Sequence, residues 1–135
     1  MFKLKVLSIK EPFATLICNS KKRIETRSWK TKYRGEIYIH ASIAKIDKKT
    51  LSRIELMDLL GDDELHYGQI ICKCNLVDCI YMDEEFVKDI KKDTQEYICG
   101  LYEVGRYAWV LDDIEILSNP IDAKGKLGIW NYEER

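Results

Sequence analysis

The chain has 135 residues, of which 46% are hydrophobic and 33% charged, and its formal net charge is −1. This is the size of one domain, taken as residues 1–135, with apolar content for one core and too little net positive charge for strong non-specific binding to long duplexes. No apolar run approaches the roughly 18 residues of a spanning helix, so no membrane partner is expected. The opening stretch MFKLKVLSIKEPFA has neither a long apolar segment nor a small-residue cleavage site, and the expected location is the cytoplasm.

Lys3–Ile9 alternates Leu4, Val6 and Ser8 against Lys5, Leu7 and Ile9, as a strand does. Pro12 then suits a first helical turn, and Phe13, Leu16 and Ile17 predict a short helix over Pro12–Cys18. Arg23–Trp29 is strand-like, with Glu25, Arg27 and Trp29 on one face and Ile24, Thr26 and Ser28 on the other. Tyr33-Arg34-Gly35 signals a turn before a strand at Glu36–Ala41.

The spacing of Leu51, Ile54, Met57 and Leu60 predicts a helix over Asp47–Leu60 that ends before Gly61. Gln69–Met82 is the longest strand-like stretch, its alternation interrupted around Lys73–Asn75, where a bulge is expected. Acids at Asp83–Glu85 open a helix expected over Glu84–Lys92. Gly100 and Gly105 punctuate a loop before a strand at Tyr107–Leu117, and the segment from Pro120 to Tyr132 is expected to hold a short strand and a closing turn. About six strands and three helices without regular alternation give an α+β fold, with a small mixed or antiparallel sheet curled into a partial barrel to hide its edges.

The five cysteines, Cys18, Cys72, Cys74, Cys79 and Cys99, are odd in number and form no framework, so they read as reduced structural thiols. Cys72 and Cys74 share a strand face, but Cys-x-Cys is not the common zinc spacing and neither His40 nor His66 stands beside them. No metal and no cofactor is expected, and a monomer is the default state.

Function concentrates in Ser20–Arg34, where Lys21, Lys22, Arg23, Arg27, Lys30, Lys32 and Arg34 surround one acid, Glu25, and one indole, Trp29. An acid, a guanidinium and an indole on one strand face can recognise a nucleotide. The carboxylate accepts from a base amine, Arg meets phosphate or carbonyl oxygens, and Trp offers a stacking surface. The alternative is a self-satisfied Glu25–Arg27 pair on a solvated face.

Ser20-Lys21-Lys22-Arg23-Ile24-Glu25-Thr26-Arg27 resembles the G-x-K-x-x-E-x-R signature of the ASCH (activating signal cointegrator homology) family, whose fold is similar to the PUA domain. The likeness continues through Leu7–Ala14, Ser28-Trp29, Tyr33–Gly35, Ile39–Ser42, Tyr107–Leu111, Pro120-Ile121, Lys124–Lys126 and Gly128–Trp130. It implies a PUA-like small β-barrel with packed helices and a cleft lined by Lys22, Glu25 and Arg27, bordered by Trp29, Arg34, His40 and Lys124. Lys126 flanks the same turn, and Lys21, Lys30 and Lys32 read as a solvated rim. Ser20 replaces the signature glycine, which predicts a slightly altered turn.

The resemblance implies an RNA- or nucleotide-binding module for a single-stranded or modified nucleotide. A bacterial subgroup that is similar removes the acetyl group of N4-acetylcytidine with a Lys, a Thr and a Glu, and here Glu25 stands where that Thr falls. The alternative is therefore a hydrolase of an acylated nucleoside, or a ribonuclease, with Lys22 and Glu25 as an acid/base pair. Glu96 and Glu103 are conceivable further acids. A third reading is a protein-interaction domain of a transcription or translation complex, using the acidic stretch Asp83–Glu96.

Overall fold

The computed structural model describes residues 2–134, so the expected domain limits, Met1 and Arg135, lie outside the described residues. The strands are β1 (Phe2–Ile9), β2 (Ile24–Arg27), β3 (Gly35–Ala41), β4 (Gln69–Tyr81), β5 (Tyr107–Asp122) and β6 (Ile129–Glu134). The helices are α1 (Phe13–Cys18), α2 (Lys48–Leu51), α3 (Ile54–Leu60), α4 (Glu84–Ile90) and α5 (Thr94–Ile98). All six strands form one curled sheet in the order β2-β5-β4-β3-β1-β6, parallel between β1 and β3 and antiparallel elsewhere. The result is an α+β half-barrel, consistent with a PUA-like small barrel. Among the described residues no helix is long and apolar enough to cross a membrane.

β1 lies between β3 and β6, and both of its faces are covered. Leu7 and Ile9 join α1 residues Ala14 and Ile17, β3 residues Ile37 and Ile39, and Trp109 of β5 in the main core. Leu4 and Val6 pack with Ile70 and Trp130 on the opposite face. An interior strand buried on both sides explains why its alternation separates two apolar sets more than apolar from polar. Glu11, itself buried, caps the start of α1 by accepting from the Thr15 amide at 2.9 Å and its hydroxyl at 2.6 Å.

β4 and β5 are long and irregular, with register shifts at Ile70/Cys72, Lys73/Asn75 and Leu76/Asp78. The second shift falls where the interrupted alternation predicts a bulge. Bulges add local bend and twist, which lets two long strands carry β2 around toward β1.

Three expectations need correction. The helix over Asp47–Leu60 is two short helices, because Arg53 is extended (φ −80°, ψ 92°). The break turns Leu51 and Ile54 outward and leaves Leu56 and Leu60 as the buried pair. A fifth helix, α5, follows its own cap at Asp93, whose carboxylate accepts from the Glu96 amide at 3.1 Å. Finally, Cys18 and Cys72 form a disulfide across 54 residues of sequence, so only Cys74, Cys79 and Cys99 are free thiols. Their pairing follows from α1 docking on β4, a long-range contact that spacing along the chain does not reveal.

Candidate nucleotide-binding site

The turn from α1 into β2 places the signature residues. Its pivot is Ser20, at φ 62°, in the left-handed region that glycine enters freely. The turn thus holds a serine in a conformation that glycine adopts more readily. Backbone bonds from Ser20 to Ile17 O (3.0 Å), and from Lys21 and Lys22 to Leu16 O (2.9 and 3.1 Å), hold it.

Lys22 is turned inward and is 1% exposed. Its Nζ donates to the carbonyls of Ile24 and Cys99, the latter at 2.7 Å, and stands 3.8 Å from Glu25 Oε1. It clamps β2 to the residues after α5 and supplies positive charge behind Glu25. Glu96 completes this anchoring, accepting from the Arg23 and Ile24 amides at 2.8 and 3.2 Å, so the start of edge strand β2 has backbone donors satisfied. That role accounts for its burial, and neither Glu96 nor exposed Glu103 lines the cavity described next.

β2 and the segment preceding β6 flank a cavity of about 690 Å³, within the range of roughly 300–1,000 Å³ typical of small-molecule sites. Glu25 and Arg27 line it from β2, Ser8 and Ile9 from β1, Lys10 from just after β1, His40 from β3, Phe13 from α1, and residues 124–128 from the connection to β6. Arg27 Nε donates to Glu25 Oε2 at 3.0 Å, and Nη2 stands 2.9 Å from the same oxygen as an ion pair. Nη2 also donates to Ser8 O at 2.9 Å. Among the described residues no hydrogen bond reaches Glu25 Oε1, since 3.8 Å to Lys22 exceeds bonding distance. Glu25, a buried carboxylate that lines the cavity, therefore keeps one oxygen without a hydrogen bond and ion-paired only with Lys22, while Lys10, Lys124 and Lys126 line the cavity as exposed side chains without ion pairs among the described residues.

His40 lines the cavity wall and is 1% exposed. The indole N–H of Trp130 donates to Ser8 Oγ (3.0 Å), Ser8 Oγ meets His40 Nδ1 (2.9 Å), and His40 Nε2 meets Ala123 O (2.8 Å). A carbonyl only accepts and an indole N–H only donates, so the chain runs from Trp130 through Ser8 and His40 to Ala123, with the proton on Nε2. It holds the loop before β6 in place. Gly125 rests on it so closely that a Cβ there would come within 2.9 Å of both Ser8 Oγ and His40 Cε1.

The remaining sequence candidates lie apart. Trp29 does not line the cavity; it stands at the border, its ring tip in contact with the Gly128 position. Arg34 is exposed and donates to the carbonyls of Thr31 and Tyr33 at 3.0 and 2.8 Å, holding its own turn. Lys21, expected on a solvated rim, instead donates to Leu59 O at 2.8 Å and pairs with Asp63 at 3.3 Å. Phe13, Ser8 and Lys10 line the cavity, although the likeness over Leu7–Ala14 names no cleft residue there. Phe13 reads as part of a core helix stripe, and Ser8 as one position in the strand alternation of Lys3–Ile9.

Fold and site together define a small α+β half-barrel carrying a largely apolar-walled cavity, lined also by Glu25, Arg27 and lysines, beside edge strand β2 and the segment that leads into β6. The ASCH domain model matches residues 7–120, and the chain belongs to the ASCH domain family. It is also similar to human (Homo sapiens) "Activating signal cointegrator 1", at 27% identity over 105 residues. That match covers 69% of this chain and 18% of the human protein, so the chain spans less than a fifth of that relative's length.

Proposed function

We propose that the chain is a nucleotide-binding module whose cavity takes one nucleotide of an RNA or a free nucleotide. The carrying observation is Glu25, a buried carboxylate with one oxygen free of hydrogen bonds, lining the same cavity as three exposed lysines. In this reading Glu25 accepts an N–H of the base, Phe13 offers an aromatic wall, and Lys10, Lys124 and Lys126 meet the phosphate. Arg27 fixes the carboxylate, His40 fixes the loop, and Lys22 is a positioning residue with no direct ligand contact.

Charge supports this assignment. Lys22 and Arg27 stand behind a single carboxylate, so the base end of the cavity is already cation-rich and suits a neutral head group with N–H donors more than a cationic one. The hydrolase reading has less support, because Lys22 is committed to two backbone carbonyls and is absent from the cavity lining. Calorimetric titration with the four ribonucleoside monophosphates at low salt tests the proposal. Binding that weakens about tenfold or more in Glu25→Gln supports it. No heat with any nucleotide, or unchanged affinity in that variant, counts against it.

A further inference from the structure

Trp29 is 39% exposed, whereas Trp109 and Trp130 are 0% and 7% exposed. An exposed indole is ordinarily free to turn, but this one is held. Its ring meets that of Trp109 at 89° with centroids 4.7 Å apart, and its carbonyl accepts the Trp109 indole N–H at 3.2 Å. Its tip lies 3.9 Å from where a Cβ on Gly128 would be, and Gly128 lines the cavity. A partly exposed indole with fixed neighbours on either side therefore stands at the cavity's border. The following residues, Lys30 and Lys32, are exposed and form no ion pair among the described residues.

We infer that Trp29 is a second, stacking subsite, so that the ligand is a single-stranded oligonucleotide with one nucleotide in the cavity and its neighbour on the indole. The inference rests on the proposed use of the cavity for a nucleotide and adds to it the length and strandedness of the ligand. A base stacks on a fixed indole without ordering it first, and the entropy of immobilising that side chain has already been spent in folding. Unpaired lysines beyond the ring favour a polyanion over a protein segment as occupant, because phosphates would neutralise Lys30 and Lys32 as the chain leaves the cavity. Duplex does not fit the arrangement, since a paired base cannot turn its face to an indole outside the stack.

The test is the affinity of 5′-phosphorylated adenylates of one to four residues at low salt, for the wild type and for Trp29→Leu and Trp29→Phe. Leucine keeps an apolar contact at Gly128 without an aromatic face, and phenylalanine keeps a smaller ring. The dinucleotide is expected to bind the wild type about tenfold tighter than the mononucleotide. That ratio should fall toward one in Trp29→Leu and stay intermediate in Trp29→Phe. Quenching of indole fluorescence should accompany the dinucleotide more than the mononucleotide, because Trp29 is the exposed indole of the three. Mononucleotide binding with no gain on lengthening, or a gain that survives in Trp29→Leu, overturns the stacking subsite and leaves the cavity reading standing. Absence of binding by every member of the series overturns both.

Discussion

Arg27 donates from Nη2 to the backbone oxygen of Ser8 at 2.9 Å, tying edge strand β2 to β1 across the side where the sheet does not close. The same guanidinium holds Glu25 Oε2. One side chain thus joins the two walls of the cavity and orients its acid.

Removing that guanidinium has consequences for both stability and binding. Arg27→Ala leaves Glu25 buried with only Lys22 at 3.8 Å, and it leaves Ser8 O without this donor. A loss of about 2–3 kcal/mol is expected in urea denaturation, below the extreme for buried pairs because Arg27 is partly exposed. The double variant Glu25→Gln/Arg27→Ala should recover part of it, since a neutral amide has less need of a counter-charge. Equal stability of the single and double variants would show that the charge of Glu25 does not set the loss.

Gly125→Ala tests the loop that carries Lys124 and Lys126. The new methyl would approach Ser8 Oγ and His40 Cε1 to 2.9 Å, so the loop must lift or the hydrogen-bonded chain from Trp130 to Ala123 must break. Stability should fall by about 1–3 kcal/mol, as for other overpacked contacts, and nucleotide affinity should fall with it. Gly105→Ala is a control for backbone strain, because that glycine has φ 96° with nothing within 4 Å of its Cβ direction. It should lower stability without the loss of affinity.

Ser20 occupies a left-handed conformation that costs an ordinary residue about 1–2 kcal/mol. Ser20→Gly relieves that strain, but it also loosens the unfolded chain, so a net gain of about 0.5–1 kcal/mol is expected in thermal or urea unfolding. A loss of stability would mean that the serine side chain makes up for its backbone.

The free thiol of Cys74 is pushed by burial up to about 12 from an ordinary value of 9.0. Between those values the unfolded chain releases a proton that the folded chain keeps, so rising pH favours unfolding. The contribution is complete below about pH 9 and is lost as pH climbs toward 12. Burial raises Cys99 and Tyr102 in the same direction. The urea midpoint should therefore decline above about pH 9, and the decline should be shallower in Cys74→Ala.

The strands were legible in the sequence because alternation is a local signal: Lys3–Ile9, Glu36–Ala41 and Gln69–Met82 each stand close to an observed strand. The helix over Asp47–Leu60 misled because Leu51, Ile54, Met57 and Leu60 carry a helical period that the extended Arg53 interrupts. Arg53 Nη2 donates to Ile98 O, a tertiary contact 45 residues away that no window reveals. For the site, motif spacing located Glu25 and Arg27, and the structure shows them sharing a cavity. Spacing could not tell Lys22, which points inward to two carbonyls, from a lysine facing a ligand. Nor could a basic run announce that Lys21 and Arg34 are engaged with the fold while Lys10, far outside the run, lines the cavity.

The most direct test of the cavity as a nucleotide site is a titration of the 15N-labelled protein with a ribonucleoside monophosphate, followed by amide chemical shifts. Shifts concentrated at Glu25 to Arg27, His40 and residues 124–128, and lost in Glu25→Gln, are the result expected. Shifts centred on the acidic helix Glu84–Ile90, or none at millimolar nucleotide, would contradict it.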